Sequence, residues 1–219
     1  MKILYGVVGE GMGHATRSKV VLEHLQAAGH ELLIVASDRA HGYLKRFFPE
    51  VVEIEGLNIE YEDGAVDRSE TFWTLLKRLP EMVATNAKRF VELSLDYSPD
   101  AVVSDFESFA YTFGRAHDIP VISIDNMQII NRCKLDVDIP EDFVGDFKFA
   151  KAIIKAKLPG AHHYLITSFF FPEIRKERTS LHPPILRPEI LNAKPSAGEH
   201  VLVYQTSTSD TEMREMLVG

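Results

Sequence analysis

The sequence of 219 residues contains a single cysteine, Cys133, and a single tryptophan, Trp73. One cysteine excludes an intrachain disulfide and is typical of a reducing compartment, so we expect a cytoplasmic protein. Basic residues are in the minority, and a net charge of -8 argues against a nucleic-acid partner, which needs a basic face. No run approaches the roughly 20 apolar residues of a membrane span, and glycines interrupt the first apolar run too early for a signal peptide.

The hydrophobic content of 45% is ample for a core, and its distribution predicts an α/β protein. Short apolar runs predict strands at residues 3–8, 30–37, 51–54, 101–104, 121–124, 164–167 and 201–204. Helical stretches between them predict helices at 15–26, 40–48, 69–96, 109–117 and 142–158, and Pro80 is expected to kink or split the third. The acidic stretch 57–67 is predicted to be a solvated loop. This alternation is typical of a doubly wound parallel sheet.

The first strand is followed at once by a glycine-rich turn and a helix. Glycines let a ligand approach the backbone, and the positive end of a helix suits a phosphate or a developing negative charge. The spacing G-x-G-x-G-H fits neither a dinucleotide fingerprint nor a P-loop, because His14 occupies the place of the third glycine and no Gly-Lys-Ser/Thr follows. The residues of this turn that we expect to bind substrate are Gly9, Glu10, Gly11, Met12 and Gly13.

The turn resembles the first loop of GT-B glycosyltransferases, among them the lipid-linked GlcNAc transferase of peptidoglycan synthesis and the UDP-glycosyltransferases. The stretch 99–128, PDAVVSDFESFAYTFGRAHDIPVISIDNMQ, is similar to the later half of their N-terminal domain. The resemblance implies a Rossmann-like acceptor-side domain at 1–182 and a proline-rich linker at 183–198. It further implies that 199–219 is only the start of a truncated second domain, which binds the nucleotide sugar.

The resemblance also suggests roles for polar residues at predicted strand ends, where open α/β sheets bind ligands. His14 is the candidate general base, and Asp105 is expected to orient it and to stabilise its charged form. The alternative for Asp105 is a cap on the helix that follows it. The further substrate-binding candidates are Glu107, Asn126 and Gln128, and the donor-side candidates are Thr206 and Ser207.

The function implied is transfer of a sugar from a nucleotide sugar, with a UDP-sugar expected, to a hydroxyl acceptor. The acceptor can be lipid-linked or part of a cell-envelope glycan, no metal or other cofactor is expected, and the chain by itself is expected to be inactive. One alternative is a sugar-nucleotide 2-epimerase of GT-B fold. Another is a nicotinamide oxidoreductase that holds a ribose with Asp38, and a third is a non-catalytic nucleotide-binding module.

One predicted helix carries the only dense set of basic residues in this acidic chain, namely Lys148, Lys151, Lys155 and Lys157. An apolar stripe along it favours an ordinary amphipathic helix docked on the sheet. The alternative is a basic face toward anionic lipid, which predicts peripheral contact with the inner face of a membrane.

Overall fold

The fold is described from a computed structural model that covers residues 1–56, 61–62, 65–66, 68–199, 201–203 and 215–216. Its strands are β1 (Lys2–Val7), β2 (Glu31–Ala36), β3 (Val51–Glu53), β4 (Tyr61–Glu62), β5 (Ala65–Val66), β6 (Ala101–Asp105), β7 (Val121–Asp125), β8 (His163–Thr167) and β9 (Thr179–His182). Its helices are α1 (Met12–Ala27), α2 (Asp38–Leu44), α3 (Arg68–Asp96), α4 (Ser108–Ala116), α5 (Ile129–Arg132), α6 (Val144–Lys157) and α7 (Pro188–Leu191), with a 3-10 turn at Glu141–Phe143 before α6.

Seven strands form one parallel sheet in the order β3-β2-β1-β6-β7-β8-β9. The chain runs outward from β1 to β3 on one side and resumes at β6 on the other side of β1. The order therefore reverses between β1 and β6, which makes this crevice the switch point of a doubly wound sheet. The predicted fold class is confirmed.

Apolar side chains cover both faces of the sheet, as a parallel sheet requires. Alternate residues of β1 point to opposite sides: Leu4 packs in one core cluster, and Tyr5 and Val7 pack in the other. This two-sided burial explains why β1 has a nearly continuous apolar sequence instead of an alternating one.

The structure differs from the sequence analysis at three places. Thr179–His182 forms the edge strand β9, which is short, polar and only half-buried and therefore has no apolar signal. The stretch 57–67, predicted to be a loop, contains the antiparallel pair β4–β5. The helix α3 continues through Pro80 as a single helix, so the predicted split does not occur, and the alternative, a kink at Pro80, stays a prediction.

The chain after the predicted linker contributes little to this description. A strand was predicted at 201–204, but Val201–Val203 has no regular secondary structure, and residue 204 lies outside the described part of the chain. The donor-side candidates Thr206 and Ser207 also lie outside the described residues, so their role stays a prediction.

Candidate active site

The loop between β1 and α1 forms one wall of the switch-point crevice. Gly9 is packed closely, since an added Cβ would lie 2.7 Å from Ser37 Oγ and 2.8 Å from Asp38 Cβ. Gly11 has a φ of 73°, a conformation that favours glycine, and no side-chain hydrogen bond caps the helix there. Gly13 lies in the first turn of α1, and a Cβ added there would meet no other atom within 4 Å. The first N–H groups of α1 thus remain available to an anion.

His14 meets Asp105 across the switch point. The helix α1 begins at Met12 instead of near Ala15, which places His14 in its first turn. His14 Nδ1 is 2.7 Å from Oδ1 of Asp105, the last residue of β6. Because β1 and β6 are neighbours, with Val7 opposite Asp105, two residues far apart in sequence come together at one edge. The predicted contact is present.

Asp105 is completely buried, and α1 supplies two further donors to it. Arg17 forms a bidentate pair, with Nε 3.0 Å from Oδ2 and Nη2 2.5 Å from Oδ1. Ser18 Oγ donates to Oδ2 at 2.7 Å. Arg17 and Ser18 follow His14 by three and four positions and therefore lie on the same side of the helix as His14. We call these three residues and Asp105 the Asp105 cluster.

The contacts of the Asp105 cluster define the tautomer of His14. Arg17 Nη2 lies 2.9 Å from His14 Nδ1, and an arginine can only donate. If Nδ1 accepted from Arg17, two lone pairs would face each other across the 2.7 Å contact with Asp105. We therefore assign the proton to Nδ1, which donates to Asp105 and leaves Nε2 of His14 free to accept. Arg17 Nη2 then directs its hydrogen to Asp105 Oδ1, at 2.5 Å, and not to the imidazole.

Asp105 is held ionised in spite of its burial. Burial alone raises the pKa of its carboxyl, but the hydrogen bond from His14 and the charge and hydrogen bonds of Arg17 outweigh it, so the pKa is lowered. Burial acts to lower the pKa of the Arg17 guanidinium, and the charge of Asp105 outweighs this and raises it. The two charges thus stabilise each other where water has little access.

Glu107, a predicted substrate-binding residue, begins helix α4 and lines the cleft described below, so its role toward substrate stays a prediction. Its carboxylate accepts from Phe109 N at 2.7 Å and from Ala110 N at 2.6 Å. Burial raises the pKa of Glu107 in opposition to these bonds. The helix after β6 is therefore capped by Glu107, and the alternative in which Asp105 is that cap was wrong.

Asn126 and Gln128, both predicted to bind substrate, lie in different surroundings. Asn126 is exposed beside the Asp105 cluster, and its Oδ1 is 3.4 Å from Arg17 Nη1. Gln128 is buried, donates from Nε2 to the carbonyl of Ile154 at 3.1 Å and accepts at Oε1 from Asn131 at 3.0 Å. Both polar atoms of its amide form hydrogen bonds with other residues of the protein, so its placement does not support a substrate contact.

Lys157, at the end of α6, belongs to the site and not to a lipid-facing surface. Its Nζ lies 4.2 Å from the centroid of the Phe106 ring, and the His14 imidazole lies near the same ring, with the two ring centroids 6.3 Å apart. Phe106 has a φ of 54°, which is strained for an aromatic residue and typical of functional sites. Burial lowers the pKa of Lys157, while the charges of Glu10 and Glu107 oppose this.

Glu10 lies near Lys157 and has an unused hydrogen-bond acceptor. Its Oε1 is buried and has no hydrogen-bond partner among the described residues, and burial raises the pKa of its carboxyl. An acceptor in this state can be satisfied by a hydroxyl donor of a ligand. The neighbouring turn residue Met12 is exposed to solvent.

A cleft of about 450 Å³ opens next to these residues. One wall is a stripe of α3 that includes Val83, Ala87 and Phe90, and Lys157 lies at its edge. Asn86 holds this wall in place, because its side-chain amide exchanges two hydrogen bonds of 2.9 Å with the backbone of Glu55. The cleft is thus mainly apolar with a few polar groups, as small-molecule sites usually are.

Sequence reasoning missed Arg17, Ser18 and Lys157. The signal for the first two was available, because they follow His14 by three and four positions on a predicted helix. Lys157 was grouped with the other lysines of its helix, and only the packing of α6 against Phe106 separates it from them.

A doubly wound sheet with a histidine and an aspartate paired at its switch point fits the acceptor-side domain of the GT-B glycosyltransferases that the sequence resembles. The chain belongs to glycosyl transferase family 1, whose model matches residues 1–219. The family resemblance found in the sequence is therefore confirmed.

Individual relatives are distant and longer than this chain. An uncharacterised glycosyltransferase of Methanosarcina mazei is 26% identical over 158 residues, which cover 71% of this chain and 41% of that protein. The chain thus spans less than half the length of this curated relative.

Solved structures share the fold. LpCGTa in complex with UDP matches 98% of this chain and 62% of its own, at 13% identity and a TM-score of 0.53. Phytolacca americana UGT2, complexed with UDP-2-fluoro-glucose and pterostilbene, matches 87% of this chain and 55% of its own, at 12% identity and a TM-score of 0.52. In the part of the chain described here, every helix is too short or too polar to cross a bilayer.

Proposed function

We propose that the protein transfers a sugar from a nucleotide sugar to a hydroxyl group of an acceptor, with His14 as general base. The observation that carries this proposal is the 2.7 Å contact between His14 Nδ1 and Asp105 at the switch point. Family membership supports sugar transfer, and the UDP ligand of the similar structure LpCGTa supports a UDP-sugar as donor.

In the proposed reaction, the free Nε2 of His14 takes the proton of the acceptor hydroxyl. The hydroxyl oxygen attacks the anomeric carbon, and the bond from that carbon to the diphosphate breaks with its electron pair leaving on the diphosphate. Asp105 stabilises the imidazolium that results. The open N-terminus of α1 offers N–H donors where negative charge can be held. We expect no metal cofactor, as in the enzymes that the sequence resembles.

The 450 Å³ cleft is the proposed site for the acceptor body. Its apolar α3 wall favours an acceptor with an apolar part, and a lipid-linked acceptor is consistent with this chemistry. Such an acceptor fits a cytoplasmic enzyme at the inner face of a membrane, with the exposed Lys148 and Lys155 toward anionic lipid.

The test is a screen of UDP-, GDP- and TDP-sugars with the full-length protein, with and without lipid extract. Release of free nucleoside diphosphate together with a new glycoside supports transfer. An isomerised nucleotide sugar without a glycoside would show an epimerase and contradict the proposal. The 219-residue chain alone is expected to show no turnover, because its relatives match it over only about half their length.

The acceptor site has its own test. Ala87→Trp fills the cleft from the α3 wall and should raise the acceptor KM while the donor KM stays unchanged. The control is Lys88→Trp, which places the same ring on the outward face of α3, where the lysine side chain is 78% exposed. Equal effects of the two variants, or none from Ala87→Trp, would remove the cleft from the proposal.

A further inference from the structure

Arg17 adds a guanidinium to the pair formed by His14 and Asp105. Its side chain is 13% exposed, and its partner Asp105 is fully buried. Two of its nitrogens, Nε and Nη2, each contact a different oxygen of the carboxylate. A two-point contact of this kind holds the plane of a carboxylate as well as its charge, which a lysine cannot do.

The carboxylate needs such a partner in order to act on His14. A buried carboxylate with only a neutral imidazole beside it is driven toward its protonated form, which is a weaker acceptor for the Nδ1 proton of His14. Ser18 adds one hydrogen bond at Oδ2 but brings no charge. Arg17 therefore supplies both the charge balance and the orientation that keep Oδ1 directed at His14.

We propose that Arg17 is a positioning residue of the transferase. The two-point contact of its guanidinium fixes the Asp105 carboxylate, so that His14 stays in the Nδ1–H tautomer with Nε2 free. The inference rests on the proposed function, because it assumes that Nε2 receives the acceptor proton. Arg17 acts through Asp105, which it contacts at both oxygens, and its Nη2 also lies 2.9 Å from His14 Nδ1. A purely structural ion pair would affect stability and leave the tautomer of His14 unchanged.

The direct test is ¹⁵N NMR of the 219-residue chain with labelled histidine, at a pH where imidazoles are neutral. Loss of signals in His14→Ala assigns the His14 nitrogens. In the native chain, the protonated nitrogen is expected to be Nδ1. In Arg17→Met, a substantial share of the Nε2–H tautomer should appear. The control is Lys19→Met on the same helix, which removes the cation paired with Glu23 at 2.5 Å and should leave the His14 signals unchanged.

Arg17→Lys keeps the positive charge and removes the two-point contact of the guanidinium. It also provides the test if Arg17→Met fails to fold. It should still shift the tautomer ratio, though less than Arg17→Met, because an ammonium cannot contact both oxygens in one plane. In the full-length protein, Arg17→Met should lower kcat by about 10- to 100-fold, the usual range for a residue that orients another, with donor KM little changed.

A native tautomer in Arg17→Lys or Arg17→Met would overturn the proposal, and so would a native kcat in either variant. These outcomes differ from failure of the proposed function. If His14→Ala kept a normal kcat while the tautomer still depended on Arg17, the base assignment would fall and the positioning of His14 by Arg17 would stand.

Discussion

Two aspartates end neighbouring strands of the sheet, and both are completely buried, yet their surroundings are opposite. Asp105 ends β6 and meets the guanidinium of Arg17. Asp125 ends β7 and accepts only neutral donors in the described structure, Ser123 Oγ at 2.6 Å and Gln128 N at 2.7 Å. The first belongs to the candidate site, and the second closes the turn into the next helix.

The difference appears in the electrostatics. Burial raises the pKa of both carboxyls, but the charge and hydrogen bonds around Asp105 outweigh it and lower the pKa of that group. The two hydrogen bonds of Asp125 do not outweigh burial, and the nearby negative charge of Asp105 adds to it, so the pKa of Asp125 is raised. A position at a strand end therefore makes an aspartate a candidate for the active site. The charged partner Arg17 is what distinguishes Asp105 from Asp125.

The largest expected difference between the two is in turnover. In the full-length protein, Asp105→Asn should lower kcat by about 10²–10⁴, because an amide no longer favours the tautomer and the charged form of His14. Asp125→Asn should leave kcat close to native. Steady-state kinetics with an identified donor decide this, and equal losses from the two variants would break the comparison.

Stability should also separate them. Asp105→Asn leaves Arg17 as an uncompensated buried charge, and we expect a loss of about 3–5 kcal/mol in the free energy of unfolding at pH 7. Asp125→Asn keeps an acceptor for Gln128 N, so its effect should stay within about 1 kcal/mol. Urea unfolding of the 219-residue chain measures both, and a strongly destabilised Asp125→Asn would contradict the account.

The two groups should give pH dependences of opposite sign. The folded-state pKa of Asp105 is lowered, so its contribution is present above the unfolded value of about 3.9 and is lost as pH falls through the folded pKa. The folded-state pKa of Asp125 is raised, so ionisation costs stability as pH rises from about 3.9 through the folded pKa.

Urea midpoints of both asparagine variants between pH 3 and 8 test these signs. The deficit of Asp105→Asn relative to the native chain should shrink as pH falls below about 4. The stability of Asp125→Asn relative to the native chain should increase as pH rises above about 4. Parallel curves for the two variants would show that the carboxyls are equivalent.

The smallest expected effect concerns the hydroxyl donors. Ser18→Ala removes a hydrogen bond to the charged Asp105 and should cost about 1.5–3 kcal/mol of unfolding free energy. Ser123→Ala removes a hydrogen bond to Asp125, whose charge is disfavoured by burial, and should cost about 1 kcal/mol. A larger loss in Ser123→Ala than in Ser18→Ala would reverse the assignment of the charged group.

The sequence was sufficient for six of the seven strands of the sheet and for the contact between His14 and Asp105. Both residues follow apolar strands, and the doubly wound order makes those strands neighbours. The sequence was insufficient where the local pattern of residues is weak and tertiary packing decides the structure. The polar strand β9 forms only because β8 offers it an edge. Whether Asp105 or Glu107 caps α4 depends on which side chain turns toward α1, which no spacing rule states.

The roles of Gln128 and Lys157 depended on packing in the same way. Gln128 follows a strand end, as ligand-binding residues do, but α6 covers it and takes its hydrogen bond through Ile154. Lys157 belongs to a surface-like run of lysines and turns inward over Phe106 at the last position of α6. Composition and periodicity do not show whether such a residue is covered by a neighbouring helix or faces the candidate site.

The central claim is that His14, oriented by Asp105, takes the proton of the acceptor hydroxyl. The most direct measurement is kcat of His14→Ala in the full-length protein, with donor and acceptor at saturation and folding checked by circular dichroism. The account predicts a fall of about 10²–10⁴, the usual contribution of a general base. A folded His14→Ala variant with a kcat near that of the native enzyme would contradict it.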